Sequence, residues 1–443
     1  MGRMRSLLSG LVYCSFWYGS ICSGFLFLYC PLLPLLFLHQ KLFRQLTDLV
    51  FAAWEVYPAA LLECLIGTRV VVTGDAILPH DRALIVMNHR TRLDWNFLWA
   101  GMFHACKPLA HRIKMVLKAS LRHIPGAGWV MQMNCFLYIH RRWERDKAVL
   151  EKTLDYFRDI GHSCQILLFP EGTDLTAGSR QRSHQFAFAH QLERYYQVLH
   201  PKTTGFVFLV QRMRQNGQLD AIYDITVGYP RTLPQSEIDI LKGSFPEEVH
   251  FTITRFAGSS LPSGEEELKE WLAYRWKVKE QTLTKFYSSG SFETSGFCNK
   301  DLKSSEVSAI NFPNGSLLDD SQVIRQNLVT SFPTIVQNSP HNSCHSSNHL
   351  KVSCRYDATF NHLPSHEKSR STILYLTLIF WTMLCFIALY GILTSFIIQV
   401  FAVMNISMFL FLSFFTQGFH LLEISLYRFK TRPLAAGSTI KGK

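Results

Sequence analysis

The chain has 443 residues, 48% of them hydrophobic and only 18% charged, with a net charge of +12. That length suits one large catalytic domain with accessories, and the apolar excess excludes an ordinary soluble chain. The positive balance suits an anionic partner such as a membrane surface or a phosphorylated ligand; nucleic acid is not expected, because no reader motif accompanies the charge.

Residues 6–40 contain no Asp, Glu, Lys or Arg. A spanning helix needs about 20 apolar residues, so this run has room for one crossing with a tail or for a short hairpin. Arg3 and Arg5 precede it, and Lys41 and Arg44 follow it. Basic flanks mark the cytoplasmic side, which predicts entry and exit on the same face. Pro31 and Pro34 predict a bend. The run is longer than the apolar core of a cleaved signal peptide, so it reads as a retained anchor. An amphipathic stretch, 41–66, completes a first region, 1–66.

Residues 67–285 read as the catalytic domain. Short apolar runs predict strands at 69–73, 83–87, 135–139, 165–169, 206–210, 222–227 and 250–254. Helical patterns at 94–103, 145–160 and 184–198 lie between several of them. Such alternation predicts an α/β fold: a mixed, mostly parallel sheet flanked by helices, with membrane-embedded helices at both ends of the chain. Residues 286–370 turn abruptly to Ser, Asn and His, a composition unlike a packed core, and read as a disordered insert. Residues 371–422 again lack charge, enough for two crossings, between Lys368 and Arg370 on one side and Arg428, Lys430 and Arg432 on the other. Region 371–443 is therefore a membrane hairpin with a basic tail. The eleven cysteines show no paired spacing, which fits a reduced, cytosol-facing domain. Asn314-Gly315-Ser316 matches a glycosylation acceptor and is expected to be bare.

The chemistry concentrates where strands end. Asn88-His89-Arg90-Thr91-Arg92-Leu93-Asp94-Trp95 follows the run 83–87. On a regular helix, five residues leave two side chains about 140° apart. His89 must therefore sit on the strand-to-helix turn if Asp94 is to reach it from the first helical turn. A carboxylate-held imidazole is a general base, although the isolated pair also reads as a turn histidine beside a capping aspartate. Phe169-Pro170-Glu171-Gly172-Thr173 follows the run 165–169, and its Gly allows close backbone approach to a phosphate, although the segment alone also reads as an ordinary turn after a strand. Arg141 ends the run 135–139 within a basic stretch and is placed to hold phosphate. The loop His200-Pro201-Lys202-Thr203-Thr204-Gly205-Phe206 is a further punctuated segment, whereas Tyr229-Pro230 reads as a strand end.

In this order the segments resemble the four blocks of the glycerolipid (lysophospholipid) acyltransferase family: HxxxxD (His89 to Asp94), a block ending in Arg (Tyr138 to Arg141), an FPEGT-like block (Phe169 to Thr173) and a Pro-centred block (Pro201). The resemblance covers roughly 1–285 and, more loosely, 371–430. It implies that His89 deprotonates the free hydroxyl of a lysophospholipid, oriented by Asp94, and that the alkoxide attacks an acyl-CoA thioester. Lysocardiolipin, lysophosphatidylinositol or a related anionic acceptor is implied. Arg141 would bind its phosphate, and Glu171, Gly172, Thr173 and Pro201 would place its head group. Neither metal nor cofactor is expected beyond acyl-CoA as co-substrate. The expected location is the endoplasmic reticulum membrane, including mitochondria-associated membrane, with the catalytic domain facing the cytosol. Lys441-Gly442-Lys443 departs from the register of a dilysine retrieval signal. Alternatives are a CoA-independent transacylase, which would use the same His and Asp, and a non-enzymatic membrane-shaping hairpin protein. A lipase is disfavoured because the chain contains no GxSxG.

Overall fold

The computed structural model describes residues 2–106, 112–292, 355–356 and 364–431. Most of the Ser/Asn/His-rich stretch, the Asn314 acceptor and the Lys441-Gly442-Lys443 tail lie outside the described residues.

The N-terminal apolar run forms α1 (Gly2–Gly24), passes through a π turn (Phe25–Tyr29) and a 3-10 turn (Cys30–Leu32) at the proline bend, and continues as α2 (Leu33–Leu38). His39 leaves the helical conformation, and its Nδ1 accepts the Leu42 N–H at 3.1 Å, capping α3 (Gln40–Ala60). α3 runs back along α1: Trp54 Nε1 donates to Ser20 Oγ at 3.0 Å and the Tyr29 hydroxyl to the Thr47 carbonyl at 3.3 Å. The pairings 20 with 54 and 29 with 47 make the two helices antiparallel. The stretch read as amphipathic is thus the second arm of a helical hairpin, with its polar face turned into the protein. Arg44, Asp48 and Glu55 are buried. Burying charge is tolerable when it is paired: Arg44 meets Glu423, and Asp48 accepts from Lys114 at 2.6 Å.

The sheet contains β1 (Arg69–Asp75), β2 (Ala83–Met87), β3 (Ile113–Lys118), β4 (Leu137–Ile139), β5 (Gln165–Leu168), β6 (Ala221–Gly228), β7 (Glu248–Ala257) and the two-residue β8 (Arg355–Tyr356). Its order is β4-β3-β5-β2-β6-β7-β1-β8. β4, β3, β5, β2 and β6 are mutually parallel; β7 is antiparallel to β6, and β1 parallel to β7. This is the mixed, mostly parallel sheet that the alternating pattern predicts. β2 is buried at all its residues, as a central parallel strand with both faces covered must be.

Helices α4 (Asp94–Ala105), α5 (Ala127–Met133), α6 (Trp143–Asp159), α7 (Ala177–Ala189), α8 (Thr203–Gln215), α9 (Glu237–Leu241) and α10 (Glu265–Ser289) accompany the sheet. α11 (Pro364–Thr394), α12 (Phe396–Phe415) and α13 (Phe419–Thr431) close the described chain. Three local expectations change. The run 206–210 is helical, within α8: Phe206, Val207, Leu209, Val210 and Met213 are buried, a spacing that repeats by helical turns and continues past the apolar run. The pattern 184–198 is helical only to Ala189, because the Glu280 carboxylate accepts the N–H groups of Tyr196, Gln197 and Val198 at 2.7, 2.8 and 3.1 Å. β3 has no counterpart among the expected strands, since its buried Lys114 breaks the apolar pattern and finds Asp48 only through the tertiary fold.

Among the described residues, four helical segments are long and apolar enough to cross a membrane: Ser6–Leu38, Gln40–Ile66, Arg370–Thr394 and Phe396–Phe415. They differ in burial. The apolar window of Gln40–Ile66 is 61% buried within the protein, against 17% for each of the last two, which leave rows of Phe, Ile and Leu exposed. Exposed apolar surface of that extent suits lipid contact.

Candidate active site

Because β4, β5, β2 and β6 are parallel neighbours or near neighbours, their C-terminal ends open on one edge of the sheet, where α/β proteins gather their ligand-binding loops. Met87 leads to Asn88-His89, Leu168 to Phe169-Pro170-Glu171, Ile139 to His140-Arg141, and Gly228 to Tyr229. Asn88 fastens the first of these turns to β6: its side chain accepts the Val227 N–H at 2.8 Å and donates to the Val227 carbonyl at 3.1 Å.

His89 stands on the turn and Asp94 opens α4. The two meet, with His89 Nδ1 2.9 Å from Asp94 Oδ2. An ionised carboxylate accepts only, so Nδ1 carries the proton and Nε2 is the basic nitrogen. The same Asp94 oxygen accepts the Thr91 N–H at 3.0 Å, and Oδ1 accepts the Tyr229 hydroxyl at 2.6 Å. The Asp94 side chain is fully buried while 18% of the His89 side chain remains exposed, so the imidazole is reachable from solvent and the carboxylate is not. The Phe169 ring lies against the imidazole, 4.4 Å between centroids. Burial opposes the imidazolium, but the hydrogen bond and charge of Asp94, with Glu171 and Asp174 beyond, outweigh it and hold the His89 pKa above the ordinary histidine value.

Glu171 is buried, and its carboxylate faces the protein. Oε1 accepts the His89 N–H at 3.1 Å and Trp276 Nε1–H at 3.3 Å; Oε2 accepts the Leu199 N–H at 3.1 Å. One side chain thereby joins the His89 turn, α10 and the loop that carries Pro201. Burial pushes its carboxyl up to about 7, against the pull of the Leu199 and His89 N–H groups and of the His89 charge. Pro201 sits between residues tied to this turn, since Lys202 N–H donates to the Pro170 carbonyl at 2.8 Å.

Gly172 adopts φ +71°, a conformation glycine takes without strain. A Cβ there would stand 3.4 Å from Lys202 Nζ, and Arg141 Nη2 donates to the Gly172 carbonyl at 2.6 Å. Two exposed cations therefore flank the Gly172-Thr173 turn, whose Thr173 hydroxyl donates to Asp174 at 3.2 Å. Arg141 itself is left-handed, φ +62°, a strained state for a non-glycine residue. The Asp146 carboxylate holds it there by accepting the N–H groups on either side, His140 at 2.7 Å and Arg142 at 2.9 Å.

Next to Asp94 along α4, Trp95 lines an apolar cavity of about 300 Å³ with Trp99, α1 residues Trp17 and Ile21, and Trp54 of α3. Sequence reasoning missed four participants: Tyr229, Lys202, Trp276 and Asp146. Tyr229 and Lys202 adjoin recognised segments, and the register of a parallel β2–β6 pair could have brought Tyr229 to the His89 turn. Trp276 lies 105 residues from Glu171, and no local signal joins them.

The acyltransferase family profile matches residues 69–230, and the acyltransferase C-terminus profile matches 239–313. Lysocardiolipin acyltransferase 1 of Gallus gallus is 44% identical over 305 residues, covering 66% of this chain and 80% of the relative. Lysophosphatidylinositol acyltransferase 10 of Caenorhabditis elegans is 41% identical over 279 residues, covering 61% of this chain and 71% of the relative. Among solved structures, the 1-acyl-sn-glycerophosphate acyltransferase of Thermotoga maritima aligns with a TM-score of 0.43 at 18% identity, over 65% of this chain and 98% of that one. By its matches to the family profiles and to curated relatives across most of their length, the chain belongs to the lysophospholipid (glycerolipid) acyltransferase family.

Proposed function

We propose that the chain is an acyl-CoA-dependent enzyme of the endoplasmic reticulum membrane that esterifies the free hydroxyl of an anionic lysophospholipid, of the lysocardiolipin or lysophosphatidylinositol kind. The observation that carries this reading is the His89–Asp94 pair, tied through Glu171 to the cationic Gly172 turn and adjoined in sequence by Trp95, which lines an apolar cavity. His89 Nε2 takes the proton of the acceptor hydroxyl as its oxygen attacks the thioester carbonyl. Buried Asp94 stabilises the imidazolium that forms. The tetrahedral intermediate collapses, the C–S bond breaks, and His89 returns the proton to the CoA sulfur. Two N–H groups of the turn, His89 and Thr91, are already engaged by carboxylates.

Arg141 and Lys202 supply charge-assisted hydrogen bonds for the acceptor phosphate, with Gly172 and Thr173 leaving room for it. Glu171 supports the site as a positioning residue, through the His89 backbone and the Pro201 loop. The apolar cavity receives the acyl chain, whose burial is worth about 0.8 kcal/mol per methylene. The exposed faces of α11 and α12 keep this machinery at the bilayer, with the catalytic domain on the cytosolic side.

The test uses membranes containing the full chain, a panel of lysophospholipids and labelled acyl-CoAs. Transfer should require added acyl-CoA, favour acceptors with anionic head groups, and vanish in His89→Ala. Transfer from phospholipid without acyl-CoA would establish the transacylase reading instead.

A further inference from the structure

Trp381 of α11 lines the apolar cavity beside the catalytic helix and also lines a second apolar cavity of about 400 Å³. The second cavity lies between α3, through Ala52, Ala53 and Val56, and α11, through Thr377 and Phe380. Phe380 is 54% exposed, so this cavity opens toward the outer apolar face of the C-terminal helices. The indole is the shared wall. It is fixed rather than loose: it is 1% exposed, its Nε1 donates to the Ala53 carbonyl at 3.2 Å, and its ring packs near Tyr57 at 6.2 Å between centroids.

The residue facing it on α1 is built to admit it. A Cβ on Gly24 would stand 3.1 Å from the Trp381 ring, so glycine there permits the close approach. Seven residues earlier on α1, Trp17 contacts Trp95, 5.6 Å between centroids, beside Asp94. Seven residues of helix span about 10 Å, which separates the catalytic side of the cavity from the Trp381 side along α1.

We propose that Trp381 is the end wall that limits the length of acyl chain accepted. The inference rests on the reading of the first cavity as the acyl site. The chain enters beside Trp95, runs along α1 and stops at the indole; the space beyond belongs to the second cavity and is closed to it. A shortened side chain at 381 joins the two cavities.

The experiment compares octanoyl-, lauroyl-, palmitoyl- and stearoyl-CoA as donors, with wild type and Trp381→Phe, Trp381→Leu and Trp381→Ala in native membranes. The graded set keeps a folded variant available should alanine disturb the helix contact. The ratio of kcat/KM for long over short donors should rise from Phe to Leu to Ala, by roughly four-fold for each methylene that gains room. Thr377→Phe, which refills the second cavity, should cancel that gain in the Trp381→Leu background and leave the wild-type profile unchanged. An active Trp381→Leu enzyme with the wild-type chain-length profile would overturn the wall, as would a shift caused by Thr377→Phe alone. Wild-type membranes that transfer no acyl group from any donor would instead defeat the underlying acyl-CoA reading.

Discussion

In the proposed mechanism His89 can act as the base only while its Nε2 is unprotonated, and its surroundings hold its pKa above the ordinary histidine value. The sign follows directly: kcat/KM is full above that pKa and is lost as pH falls through it, so the acid limb should lie above about 6.5, the unperturbed value. Asp94→Asn removes the charge that stabilises the imidazolium, so the limb should move to lower pH while kcat falls by about 10³–10⁴. Tyr229→Phe should move it the other way, because Asp94 loses the 2.6 Å hydroxyl donor that draws on its charge. A pH–rate profile of the three proteins distinguishes these shifts, and Glu171→Gln identifies any part of the limb belonging to the neighbouring carboxyl. His89, Asp94 and the FPEGT turn were legible in the sequence because each follows a short apolar run within a few residues. Tyr229 was not: a tyrosine after a strand has many uses, and its role depends on β6 lying beside β2.

Helix α10 holds together what the strand ends present. Trp276 reaches Glu171, Lys279 pairs with Asp224 and donates to the Ile225 carbonyl at 2.6 Å, and Glu280 accepts three consecutive N–H groups of the 196–198 loop. Glu280→Ala leaves those three donors without their carboxylate, each at a cost of about 1–3 kcal/mol if it remains buried. The loop carrying Pro201 and Lys202 should loosen, raising KM for the lysophospholipid more than it lowers kcat, since His89 and Asp94 are untouched. Steady-state kinetics against acceptor concentration checks the split; a loss in kcat alone would contradict it. The sheet was largely legible because buried parallel strands are continuous apolar runs. Two of the misread elements are set by contacts distant in sequence: the 196–198 loop is taken from helix by Glu280, and β3 carries a lysine that only Asp48 makes tolerable. α8 was misread locally, because its short apolar run hides a helical stripe that continues to Met213.

At the scale of the molecule, the apolar runs at the two ends of the chain are joined to the catalytic domain rather than appended to it. Charge counting made both runs visible, but it could not show that the polar face of α3 points inward, because Arg44 finds its partner 379 residues away. Arg44 and Glu423 are both buried; the Tyr156 hydroxyl donates to Glu423 at 2.7 Å, and Arg44 Nη1 donates to the Met133 carbonyl at 2.7 Å. This cluster locks α13 to α3, α5 and α6. Removing one member of a buried pair costs about 3–5 kcal/mol, because the other charge is stranded, and that is a large share of a folding free energy of about 5–15 kcal/mol. A chain cut before Pro364 should therefore lose more than a membrane tether: Arg44 is stranded and Trp381 leaves the cavity wall. Expressed alone, residues 1–363 should be unstable and inactive even when retained at membranes. Co-expressed with residues 364–443 they should regain acyl transfer, because the contacts of α11 and α13 need no covalent link to form. Glu423→Ala in the second fragment should abolish that rescue, and Arg44→Met in the first should partly restore it, since two apolar groups bury without a stranded charge. Acyl transfer and detergent-extracted size profiles of the four combinations decide the matter. A fully active 1–363 fragment would show that the C-terminal helices are accessories after all.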